Sequence, residues 1–151
     1  MDFKVHIDRK DIHAGKSNYI RKAITVGMNE LGKEMVKHAK INIKHSTKGY
    51  KKYNHYGIRG KVESSYPESY PANQTGELVS SIYYKNAGQK QMVFGSTAPY
   101  GGSLEYGHRW GNTIIEPRPF ISTTDDSFAL HRRKQIIRRS TSKVWGTGGN
   151  K

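Results

Sequence analysis

The sequence has no cysteine, which excludes disulfides and every thiolate-held zinc or iron–sulfur site and suits a reducing compartment. Acids are scarce: 12 Asp and Glu stand against 26 Lys and Arg, a formal charge of +14. None lies between Glu34 and Glu63, and none follows Asp126. Such a balance favours acidic partners, whether nucleic acid, an anionic membrane or an acidic protein surface, and carries no information about fold. Apolar residues are also few, 34% against the roughly 45–50% of an average globular chain, a figure that includes glycine. A modest core with long polar excursions is expected, in a chain that reaches full order once neighbours cover it. No run approaches the ~20 apolar residues that cross a bilayer. The start, Met1–His6, has no apolar core of a secretory leader, so neither a membrane span nor export is expected.

What is present organises into a few segments of one domain, 1–145, with a glycine-rich flexible tail at 146–151. Phe3, Val5 and Ile7 alternate with charged residues, the period of a half-buried strand. Ser17 and Asn18 can cap a helix. Behind them Ile20, Ile24, Met28, Leu31, Met35 and Ala39 trace one apolar stripe along about six turns. Gly27 and Gly32 each cost a helix about 1 kcal/mol relative to alanine, and Gly27 on the flank of the stripe could admit another backbone. From His45 to Asn73 periodicity disappears, and glycines, prolines, lysines and five tyrosines alternate. A loop this long is normally functional or disordered. It reads either as a contact surface for protein or nucleic acid, with tyrosine rings supplying area at low entropic cost, or as a surface loop whose tyrosines pack locally. Leu78, Ser80, Ile82 and Tyr84 have strand periodicity, Asn86-Ala87-Gly88 has turn chemistry, and Met92-Val93-Phe94 forms a returning strand. Pro117 and Pro119 hold Arg118 extended. Ser122, Thr123 or Thr124 can cap a second helix through about Arg139, with Asp125 and Asp126 in its first turn and Arg138 and Arg139 in its last. The fold class expected is α+β: a long N-terminal helix and a shorter C-terminal one on a small, mainly antiparallel sheet, with the long loop at 45–74 inserted.

Signatures of catalysis are thin. Seven histidines show no metal-ligand spacing. The tightest cluster is Glu105, His108 and Arg109, which a nuclease could use to hold a divalent ion, though it lies in a glycine-rich turn far in sequence from a second acid. Ser80 and Ser81 lack a nucleophile elbow. Glycines 101, 102 and 107 form no dinucleotide fingerprint, and 146–149 form no phosphate loop. No cofactor is expected.

One ordered set of short motifs goes further. Tyr70-Pro71-Ala72 is followed by Thr75-Gly76-Glu77-Leu78 with Ser81-Ile82, then Phe94-Gly95-Ser96 and Ala98-Pro99-Tyr100. Leu104-Glu105-Tyr106-Gly107 comes next, and Pro117-Arg118-Pro119-Phe120-Ile121 closes the set. In order and spacing this resembles the minor tail-component and neck protein family of long-tailed bacteriophages. The sequence departs from the family pattern at Tyr106, at Gly101-Gly102 and at His108. The resemblance implies a structural subunit of the neck or tail-completion region, a homo-oligomeric ring joining head connector to tail tube without turnover chemistry. It would sit in the virion after a soluble period in the host cytoplasm. Its partners would be head-completion and tail terminator or tube proteins, with contact to packaged DNA. Thr75, Gly76, Leu78, Tyr100, Glu105, Tyr106, Gly107, Arg118, Pro119 and Phe120 are its structural motif. Repeated subunits can close such a ring through head-to-tail contacts. Arg118 could pair with Glu105 and so fix the Gly107 turn against Phe120, the alternative being that water satisfies each charge at the surface.

Candidate interface or DNA-facing residues are the basic and aromatic ones: Lys48, Tyr50, Lys51, Lys52, Tyr53, Tyr56 and Arg59 in the loop, and Arg132, Arg133, Arg138 and Arg139 in the second helix. The competing reading is a freestanding nucleic-acid-binding protein or nuclease, with steep salt dependence. It lacks a recognised reading helix, and lysine-rich faces are commonly just solvated.

Overall fold

Ile24, Met28, Leu31, Met35, Ala39 and Ile43 are all buried, at the three- and four-residue spacing that lines one side of a helix. They belong to α1 (Asn18–Lys44), 27 residues long, which runs one turn beyond the expected stripe because Ile43 continues it. The computed structural model describes residues 2–6, 18–54, 59–88 and 90–146. Within them the fold is α+β, with every strand pairing antiparallel.

The main sheet has three strands, β1 (Asp2–His6), β4 (Ile82–Gly88) and β5 (Gln91–Ser96), in the order β1-β5-β4. The central place of β5 explains its unbroken run: Met92, Val93, Phe94, Gly95 and Ser96 are all buried, as a strand covered on both faces requires. Ile7, expected in the first strand, lies outside the described residues.

Helix α1 forms the middle layer. A Cβ on Gly32 would overlap the Tyr84 ring of β4 and stand 2.8 Å from the Met92 sulfur of β5. A Cβ on Gly27 would stand 2.9 Å from Cγ2 of Ile137. The two glycines are five positions apart, roughly 140° around a helix axis, so one admits the sheet and the other admits the C-terminal helix. That helix, α5 (Leu130–Gly146), packs chiefly on α1.

Sequence expectations changed in four places. The 45–74 excursion carries an antiparallel hairpin, β2 (Lys48–Asn54) and β3 (Lys61–Ser65); its strands are polar on both faces and broken by a bulge, so they show no hydrophobic alternation. Leu78 and Ser80 lie not in a strand but in the short helix α2 (Glu77–Ser81), and the strand begins only at Ile82. It runs through Asn86-Ala87-Gly88, the expected turn, where Asn86 and Gly88 instead pair with Met92 and Gln91 across a bulge. The glycine-rich turn after Tyr100 is a helix, α3 (Gly101–Tyr106), followed by a small hairpin of β6 (His108–Trp110) and β7 (Thr113–Ile115). The expected second helix is two. α4 (Ile121–Ser127) stops at Phe128, whose N–H bonds the Asp125 carbonyl, and α5 then runs past Arg139 to Gly146. The break buries the Phe128 ring completely. Asp125 and Asp126 thus lie in the last turn of α4, and Arg138 and Arg139 lie mid-helix. Gly146 closes α5; the remainder of the expected tail lies outside the described residues.

Candidate functional site: a groove between two hairpins

The motif residues converge on one bracket beneath α4. Glu105, at the end of α3, is buried, and its carboxylate accepts three backbone N–H groups: Phe120 and Ile121 on Oε2 at 2.8 and 2.9 Å, and Ser122 on Oε1 at 2.8 Å. These are donors that a helix start leaves without intrahelical partners, and a carboxylate suits the positive end of the helix. A distant side chain therefore caps α4, in place of Ser122, Thr123 or Thr124. Pro119 leads into this cap, and Phe120 is fully buried. Gly107 ends α3 with φ +74, and a Cβ there would meet the Ile115 carbonyl oxygen at 2.9 Å; both the angle and the space call for glycine. Tyr106 points outward, 74% exposed.

The expected Glu105–Arg118 ion pair is not formed. Arg118 is buried and turns the other way, donating from Nε to the Ser65 carbonyl at 3.0 Å and from Nη1 to the Glu116 carbonyl at 2.8 Å. Its Nη2 lies 3.9 Å from the Glu116 carboxylate. Its own N–H bonds the Leu104 carbonyl at 2.6 Å. Alternation along an extended Glu116–Phe120 segment would not reveal this, because the carbonyls that satisfy the guanidinium come from β3 and from its own segment. Glu105, His108 and Arg109 are likewise no cluster in space: the carboxylate faces inward, while His108 and Arg109 are exposed on β6.

The first motif segment stands nearby. Thr75 Oγ1 accepts the Glu77 N–H at 3.3 Å, Gly76 opens α2, and Leu78 enters the core. Tyr100, at the start of α3, donates its hydroxyl to Glu77 at 3.3 Å.

The hairpin β2–β3 is tied to this bracket by Glu116. The Tyr50 hydroxyl donates to Oε1 at 2.8 Å, and Lys51 Nζ lies 3.2 Å from Oε2. The hydrogen bond from Tyr50, then the ammonium of Lys51, holds the Glu116 carboxyl below the ordinary carboxylate range; the same contact raises Lys51. Lys52 pairs with Glu63 at 3.5 Å. Between the two hairpins, residues 71–76 and α3 lies a groove of about 520 Å³. Thr75, Gly76, Leu78, Tyr100, Arg118, Lys51 and Lys52 all line it, so part of the structural motif and part of the basic stretch meet at one place. β7 adds what the residue patterns missed: Ile114 and Ile115 line the groove and are 63% and 37% exposed. Consecutive isoleucines beside Gly111 and Asn112 were the available signal.

The remaining candidates do not join this site. Lys48 and Arg59 are exposed at the two ends of the hairpin; Tyr53 lies in β2 opposite Val62, and Tyr56 lies outside the described residues. Arg132, Arg138 and Arg139 are exposed on α5, with Arg132 stacked over the Phe128 ring at 4.1 Å. Arg133 is turned inward: it pairs with Asp125 at 2.6 Å and donates to the carbonyls of Asp125 and Phe128, so it closes the end of α4.

Among the described residues no group of three His, Cys, Asp or Glu could hold a metal ion, and no helix is long and apolar enough to cross a membrane. No family model, no curated protein and no solved structure matches the chain significantly.

Proposed function

We propose that this protein is a structural virion subunit of a bacteriophage neck or tail-completion region, a member of a ring that joins the head connector to the tail tube. The observation that carries the reading is the convergence of the motif residues: Glu105, Gly107, Arg118 and Phe120 meet in one backbone-capping bracket, and the carboxylate of Glu105 is engaged by three N–H groups. A motif used in this way holds loops and helix starts in place, as an assembling subunit needs. The exposed Ile114 and Tyr106 fit a surface that neighbours cover.

Native mass spectrometry of the chain, alone and mixed with the proteins encoded beside it, tests the proposal. A ring, or a monomer that joins one only with those partners, is expected. A monomer indifferent to both would overturn it.

A second reading, a freestanding nucleic-acid-binding protein, draws on the exposed Arg132, Arg138 and Arg139 of α5 and on the +14 charge. Sub-micromolar binding of duplex DNA by the isolated monomer, steeply salt-dependent, would favour it over the ring.

A further inference from the structure

We propose that the groove between the two hairpins is a peptide-docking site, which takes an extended apolar–acidic segment of a partner protein along the free edge of β7. The groove, about 520 Å³, is within the size range of sites that enclose a ligand, and a run of three or four residues fills it. Its apolar side is made by Leu78, Leu104, Ile114 and Ile115. Ile114 and Ile115 are neighbours on one strand, and neighbours on a strand point to opposite faces. A groove that meets both therefore runs along the strand's edge. Among the described residues β7 pairs only with β6 in a two-stranded sheet, so no described strand lies beside its other edge, the arrangement that strand addition uses.

Charge selects the occupant. Lys51, Lys52 and Arg118 line the groove against the single carboxylate of Glu116. The pairs that Lys51 makes with Glu116 and Lys52 with Glu63 are exposed and of the weak surface kind, so both ammonium groups can take up an incoming carboxylate. Alternation of apolar and acidic residues places leucine-like side chains on the isoleucines and carboxylates at the lysines. A second copy of this chain is a poor occupant, because each carries 26 cations against 12 acids and meets the rim with like charge.

The test uses the full chain and three end-blocked pentapeptides, Glu-Leu-Glu-Leu-Glu, Lys-Leu-Lys-Leu-Lys and Glu-Ser-Glu-Ser-Glu, titrated against its backbone amide NMR signals. The first is expected to shift Ile114, Ile115 and Ser65 with a Kd on the order of 10⁻⁴–10⁻³ M, and the other two to bind at least roughly tenfold more weakly. Ile114→Asp and Lys52→Glu alter exposed side chains, so the fold persists, and each should weaken the first peptide by about fivefold or more. Equal binding of the lysine peptide, shifts confined to another surface, or indifference to Ile114→Asp would overturn the proposal. So would concentration-dependent shifts of Ile114 and Ile115 without peptide, since they would make a second copy the occupant. The peptide outcomes do not involve ring formation, and self-association through Ile114 and Ile115 would overturn the docking site while favouring a ring, so the docking site and the neck-protein reading fail separately.

Discussion

Glu105 Oε2 lies 2.8 Å from the backbone nitrogen of Phe120, and through this contact the end of α3 holds the start of α4. With Ile121 and Ser122 on the same carboxylate, one side chain satisfies three donors that water cannot reach freely. Glu105→Gln keeps the volume but turns an amide donor toward backbone donors. It should cost about 1–3 kcal/mol, which for a chain of this size lowers Tm by roughly 2–4 °C per kcal/mol. Tyr106→Ala, at the exposed neighbour, should be nearly neutral. Thermal or urea unfolding decides; a Glu105→Gln protein as stable as the parent would remove the cap from the account.

Helix propensity alone makes Gly→Ala stabilising in α1, by about 1 kcal/mol. Packing reverses the sign at both glycines. Gly32→Ala drives a methyl into the Tyr84 ring and against Met92, and should destabilise by about 2–3 kcal/mol, the scale of overpacking. Gly27→Ala meets Ile137 at Cγ2, and at Cα 3.3 Å away, so a smaller net loss of about 1 kcal/mol is expected. In a double-mutant cycle with Ile137→Ala, the double mutant should lose less than the sum of the two single losses. Strict additivity would mean that α5 does not rest on Gly27.

The Glu116 carboxyl is held below its ordinary value of 4.5 first by the Tyr50 hydroxyl and then by Lys51. A carboxylate depressed by folding lends stability above its unfolded pKa and loses it as pH falls through the folded one. The anchor of the β2–β3 hairpin should therefore hold at neutral pH and loosen below pH 4.5. Tyr50→Phe should move the Glu116 titration up toward the ordinary value, read by carboxyl NMR. An unchanged titration would show that the hydroxyl does not reach it.

His38 sits edge-on to Phe128, with ring centroids 5.4 Å apart, and bonds Asn42. Burial lowers its pKa from the ordinary 6.5, and the Arg132 guanidinium lowers it further. The folded state thus binds the proton less readily than the unfolded one, so stability is full above pH 6.5 and declines as pH falls from there to the folded pKa. Arg132→Ala should raise the His38 titration only partway, because burial is the larger cause. Complete restoration to the ordinary value would assign the depression to charge instead.

Legibility followed the range of the interactions. The stripe from Ile24 to Ala39 was readable because a helix repeats its environment every three to four residues. The β4–β5 pairing was readable because its strands are adjacent in sequence, although the turn chemistry of Asn86-Ala87-Gly88 points too early, to residues that end β4. The two small hairpins were not: the strands of β2–β3 are polar on both faces and show no alternation, and those of β6–β7 are three residues each, too short to show a period. β2–β3 is held by Arg118 and Glu116 from far along the chain. The bracket residues were recognisable as a set, yet their roles were not. Charge suggested that Glu105 and Arg118 pair, whereas each is satisfied by backbone groups on opposite sides of the connector.

By itself the sequence determined the α+β class, the long helix with its buried side, the absence of thiol chemistry and the excess of positive charge, because composition and short-range periodicity act locally. Tertiary structure alone decided which glycine of α1 faces the sheet and which faces α5, that α4 is capped from α3, and that Lys51 and Lys52 border one groove with Thr75, Gly76, Leu78, Tyr100 and Arg118. Those outcomes depend on which distant backbone donors, carbonyls and rings come within contact distance, and residue order does not encode a distance until the chain has folded.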